Sequence, residues 1–104
     1  MGLNDMETQR HRLRRLRILQ ALSQNRPEPV GDGLIAQVLR GDVDLSFTKT
    51  NIRNSLDYLS ERGLVIITLR NTERWMAKIS ADGVDFLDGL LAERPHGVAH
   101  PDEF

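Results

Sequence analysis

The chain has 104 residues, 39% of them hydrophobic, a net charge of −1 and no cysteine. That length holds one hydrophobic core and no second domain. The absence of cysteine excludes disulfides, thiolate metal sites and a cysteine nucleophile, and no apolar run approaches the roughly 20 residues that cross a bilayer. The opening MGLNDMETQRHRLRRLR has no apolar core after its charges, unlike a secretory signal, and Gly2 lacks the context of a lipid anchor. A cytoplasmic chain with no membrane association is expected. Charge is unevenly spread: Arg10 to Arg17 holds five arginines and no acid, and Asp82 to Glu93 holds four acids and no base. A basic face on a near-neutral molecule is compatible with that distribution.

The first helix is expected over about residues 7–24, capped by Asp5 or Thr8 and ended by Asn25-Arg26-Pro27. Leu16, Ile18, Leu19 and Leu22 share one broad apolar face. Arg12 and Arg15 fall on the same side one turn earlier, which a core does not accept. The first half of this helix should therefore project from the domain or lie against a partner. Pro27-Glu28-Pro29 reads as a stiff connector. Asp32 is expected to cap a short helix carrying Leu34, Ile35, Val38 and Leu39, which Gly41 stops. Asp42-Val43-Asp44-Leu45 links to the third helix.

Ser46 or Thr48 should cap that third helix. Phe47, Ile52, Leu56 and Leu59 form its buried side, and Lys49, Thr50, Asn51, Arg53, Asn54 and Asp57 remain outside. Gly63 closes it. Leu64 to Leu69 reads as a strand with imperfect alternation, Arg70 to Arg74 as a turn, and Trp75 to Ser80 as the return strand. Trp75, Ala77 and Ile79 are its candidates for packing on the helices. A last helix over about residues 81–92 places Val84, Leu87 and Leu91 on one stripe, widened by Phe86 and Leu90. Pro95 ends it, and residues 95–104 read as a flexible polar tail.

Helix, helix, helix, hairpin, helix in that order resembles the winged helix-turn-helix superfamily over roughly residues 10–92. Leu56-Asp57-Tyr58-Leu59-Ser60-Glu61-Arg62-Gly63-Leu64-Val65 is similar to the end of a recognition helix in bacterial winged-helix regulators. Ile79 to Leu87, with Ser80 followed by Gly83, is similar to the passage from the wing into the last helix. Size, the arginine-bearing first helix and Arg94-Pro95-His96-Gly97-Val98 resemble small winged-helix proteins of Mu-like phages and prophages. The resemblance implies an α+β fold of three helices, a two-stranded hairpin wing and a C-terminal helix, in a domain spanning residues 1–94.

It also implies a transcriptional regulator that binds double-stranded DNA. The third helix, over 46–62, would enter the major groove. Arg53 and the asparagines Asn51 and Asn54 suit base edges, and Thr48 and Lys49 suit phosphates. Arg70, Asn71, Thr72 and Arg74 around the wing turn would hold the backbone or the minor groove. The plainer alternatives are a solvated helix face and ordinary turn chemistry. The arginines of the first helix are read as reaching phosphates or as pairing with the acidic last helix of a second subunit. A homodimer contact through Leu13, Arg12, Arg15, Phe86 and Leu90 follows from the second option, presenting two recognition helices about 34 Å apart. His96 and His100 lie four apart, but Pro95, Gly97 and Pro101 argue against the helix a metal pair would need. No cofactor is expected, and no nucleophile-base pair or phosphate loop points to an enzyme. The alternative function is an interaction or dimerisation module that binds a protein partner and not DNA. A positive surface running through Lys49, Arg53, Arg70 and Arg74 would favour DNA; one broken by Asp57 and Glu73 would favour the module.

Overall fold

A computed structural model describes residues 3–42 and 45–103. The readings that involve Gly2, the link residues Val43 and Asp44, and the last residue of the tail lie outside them. The fold is α+β: α1 (Leu3–Gln24), β1 (Val30–Gly31), α2 (Asp32–Leu39), α3 (Lys49–Glu61), β2 (Val65–Arg70), β3 (Trp75–Ile79) and α4 (Ala81–Leu87), followed by a 3-10 turn at Pro101–Glu103. The sheet is antiparallel with order β1-β3-β2. Three strands stand where two were expected. The third, β1, is only two residues long and follows the connector prolines. It pairs Val30 with Ala77 and Gly31 with Met76.

The core is built by the periodicities that the sequence displays. Leu16, Ile18, Leu19 and Leu22 of α1, Ile35 of α2, and Ile52, Leu56 and Leu59 of α3 are all buried, and they meet Val65, Ala77 and Ile79 of the sheet. Thr48 caps α3 by accepting a hydrogen bond from the Asn51 amide at 3.1 Å. At the other end Gly63, with φ +74°, takes the left-handed conformation. Its amide donates to the Ser60 carbonyl and that of Leu64 to the Leu59 carbonyl, the double bond of a Schellman stop. Ser80 then joins the hairpin to α4. Its amide donates to the Leu64 carbonyl (3.0 Å), and its hydroxyl accepts from the Gly83 amide (3.0 Å) while donating to the Gly63 carbonyl. A β-carbon at Gly83 would overlap the Leu64 carbonyl oxygen, so only glycine lets α4 sit this close to the strand.

The imperfect alternation of β2 has a cause. The ladder pairs Ile67 with Ala77 and Leu69 with Met76, leaving Thr68 as a bulge. The extra residue puts Ile66 and Leu69 on the same outer face as their partners Lys78 and Met76.

Four expectations are corrected. Asp32 is the first residue of α2 and not its cap; the N-cap is Gly31. The stripe on α2 is split, with Ile35 buried and Leu34 and Val38 exposed. α4 ends at Leu87, because Gly89 (φ +77°) forms a second Schellman stop: its amide bonds the Phe86 carbonyl and that of Leu90 the Asp85 carbonyl. Residues 95–103 lie against α1, with Val98, Ala99 and His100 buried. The Ala99 amide donates to the Arg12 carbonyl at 3.1 Å. Gly97 sits so close to Tyr58 that a β-carbon there would overlap the phenol oxygen.

Candidate nucleic-acid interface

Each arginine of the α1 block finds a partner within the chain. Arg10 pairs with Glu7 (3.3 Å) and Arg17 with Asp42 (3.9 Å). Arg12 donates to the His96 carbonyl (2.6 Å) and to both carboxylate oxygens of Glu103 (2.8 and 3.1 Å). Arg14 is buried and donates to the Leu45 carbonyl (2.8 Å); Arg15 donates to the Gly97 carbonyl (2.8 Å) and lies 3.7 Å from the centre of the Tyr58 ring. Burial pushes the Arg14 and Arg15 guanidiniums below the usual arginine range. The Arg12 hydrogen bond holds the Glu103 carboxyl below the ordinary carboxylate range.

The residues assigned to a dimer contact follow the same pattern. Arg12 and Arg15 bind the chain's own C-terminal segment, Leu13 packs against the core, and Phe86 is completely buried beside His100, with ring centroids 5.6 Å apart. Of that set only Leu90, 72% exposed, lies open. The physical reason is that main-chain carbonyls of residues 96 and 97 reach the two arginines first.

The other group of cations surrounds the start of α3 and the turn between β2 and β3. The turn is closed by Asn71, whose amide donates to the Arg74 carbonyl (3.2 Å). Its side-chain oxygen accepts from the amides of Glu73 (3.0 Å) and Arg74 (2.7 Å). From α3, Lys49 Nζ donates to the Glu73 carbonyl (2.9 Å) and Arg53 Nη1 to the Thr72 carbonyl (3.3 Å). Helix and turn therefore form one continuous surface.

Each expected contact residue has a definite place on it. Thr48 is spent as the helix cap. The Asn51 side chain donates to the Ser46 carbonyl (2.7 Å), holding a residue with φ +53°. Arg53 is paired with Asp32 (2.7 Å), and Arg70 with Asp57. Trp75, half-buried, lies beneath both arginines, 5.2 Å from Arg53 and 4.5 Å from Arg70. The side chains of Asn54, Thr72 and Arg74 carry no hydrogen bond or ion pair and are exposed, as is Thr50. Lys49, although tied to the turn, is also exposed.

The residue missed by sequence reasoning is Asp32. Its side chain is 2% exposed and it neutralises the arginine expected to read bases. An aspartate between two glycines at a helix start carries no mark of a partner 21 positions away. Among the described residues no group of three or more histidines and carboxylates is placed to hold a metal ion, and no helix is long and apolar enough to cross a membrane. Compared with protein-family models, curated proteins and solved structures, the chain matches none of them.

Proposed function

We propose that the chain is a winged helix-turn-helix protein that binds double-stranded DNA through α3 and the β2–β3 hairpin. The observation that carries this reading is the tie between the two elements: Lys49 and Arg53 of α3 both donate to carbonyls of the hairpin turn. A helix start and a wing held on one surface suit a major groove and its flanking phosphates. The exposed side chains on that surface divide by chemistry. Asn54 and Thr50 suit base edges. Lys49 and Arg74, with Thr72 beside them, suit phosphates. Arg53 and Arg70 are engaged by carboxylates and contribute less than their charge suggests. A regulator encoded by a transposable phage is the role that the sequence resemblance implies.

A second reading is favoured by one observation. Asp57 pairs with Arg70 in the middle of the surface and Glu73 lies exposed at its tip, so the positive band is interrupted. An interaction module that binds a protein partner accounts for that. Selection from a random-sequence duplex library separates the two. Recovery of a common motif by the wild-type chain, lost with Asn54→Ala, supports the DNA reading; failure to enrich any sequence at low salt supports the module.

A further inference from the structure

Arg53 is held differently from the other cations of the surface. Its side chain is 19% exposed. Nε donates to Asp32 Oδ2 at 2.7 Å, and the other oxygen of that buried carboxylate accepts the Gly33 amide at 2.9 Å. Nη1 donates to the Thr72 carbonyl. Nη2 is buried and has no hydrogen-bond partner. Guanine is recognised by a pair of adjacent N–H groups presented outward. Here one nitrogen has no access to solvent and the other two are occupied. Turning the guanidinium toward DNA would strand the Asp32 carboxylate in the interior, an unfavourable exchange for a buried ion pair.

The same contacts bring three elements to one side chain: α2 through Asp32, α3 itself, and the hairpin turn through Thr72. Trp75 at the base of the hairpin lies against it. Lys49 makes a second tie, but as a flexible point charge it holds distance and not angle. We propose that Arg53 is a positioning residue that locks the hairpin turn to α3, with Asp32 as its anchor, and that base reading falls to its neighbours Thr50 and Asn54. The last clause rests on the DNA-binding function; the lock does not.

The test uses the full chain, isotopically labelled, with and without duplex DNA carrying the selected motif. In the free protein the Arg53 Nε–H resonance is expected to be protected from exchange with water. Arg53→Lys keeps the charge and loses the fork; Asp32→Asn keeps the shape and loses the anion. Both should speed exchange of the Glu73 and Arg74 amides by about tenfold or more beyond any change at the Leu56 and Ala77 amides, because the opening is local. On DNA, Arg53→Lys should weaken all sequences by a similar factor, whereas Asn54→Ala should relax preference at one base pair. Unchanged turn exchange in both variants would overturn the lock, as would relaxed preference at a single base pair in Arg53→Lys. Should either variant not fold, the wild-type resonance decides: an Arg53 Nε–H in fast exchange with water overturns the proposal. Absence of DNA binding by the wild-type chain would remove the function and the reading role of Thr50 and Asn54, while the exchange measurements still decide the lock.

Discussion

Two groups of arginines on this small molecule meet different fates. Those of α1 are the denser group, and three of them, Arg12, Arg14 and Arg15, are bound by main-chain carbonyls of Leu45, His96 and Gly97 and by Glu103. Arg12 and Arg15 fasten the C-terminal segment to the first helix. Those around α3 and the hairpin are fewer, and two of them are matched by Asp32 and Asp57. Lys49 and Arg74 stay exposed there, whereas of the α1 group only Arg10 does. Local density of positive charge is therefore a poor guide to where this molecule offers charge to a partner. What decides it is which cations find an acceptor during folding, since a guanidinium with several donors satisfies buried carbonyls as readily as phosphates.

The comparison is broken most severely at Arg53. Arg53→Ala leaves Asp32 buried without a counter-ion, and stability should fall by about 3 kcal/mol; urea denaturation giving a loss below about 1 kcal/mol would contradict the burial argument. On the α1 side, Gly97→Ala forces a methyl group into Tyr58 and should cost about 2 kcal/mol through overpacking. Loss of protection at the Ala99 amide is the matching local signal. Arg12→Gln removes the Glu103 pair and the bond to the His96 carbonyl, and a smaller loss of stability than in Gly97→Ala is expected because both side chains are partly exposed. Arg70→Ala should change stability by no more than about 0.5 kcal/mol, its pair with Asp57 being close to half exposed on each side. A drop comparable to that of Arg53→Ala would mean that Arg70 of the hairpin and Arg53 of α3 do the same work.

Acid offers a reversible version of the Arg12 experiment. The hydrogen bond from Arg12 depresses the Glu103 carboxyl, with a smaller contribution from the His100 amide. A lowered carboxyl contributes stability above its ordinary titration range and loses it as pH falls through the lowered value. The Val98 methyl resonances should therefore move on acidification below the ordinary carboxylate range. In Arg12→Gln, where the larger cause of the shift is gone, they should move less and closer to the ordinary carboxylate range.

The parts of this fold that local chemistry dictates were legible in the sequence. Thr48 as a cap, Gly63 as a stop, the apolar spacing Ile52-Leu56-Leu59 and the turn at Asn71 all act within a few residues of themselves. Gly89 works by the same chemistry as Gly63 but is followed by Leu90 and Leu91, which continue a helical stripe. Periodicity thus outweighs the glycine in the sequence and predicts a helix over about residues 81–92. The C-terminal segment reads in the sequence as a flexible polar tail. What holds it is the reach of Arg12 and Arg15 to carbonyls more than 80 positions away, and a carbonyl leaves no trace in a sequence. The candidate site divides likewise: its exposed residues were identifiable by type, whereas the withdrawal of Arg53 by Asp32 depends on a tertiary contact.

The salt dependence of binding to duplex DNA tests the central claim most directly. For each phosphate neutralised, log K against log salt steepens by about 0.9. Removing two exposed cations with Lys49→Gln and Arg74→Gln should flatten the slope by about 2, while Arg12→Gln should leave it unchanged. A slope that ignores the first pair and falls with Arg12→Gln would place the DNA on α1. No binding by the wild-type chain at about 50 mM salt would show that neither group of arginines serves nucleic acid.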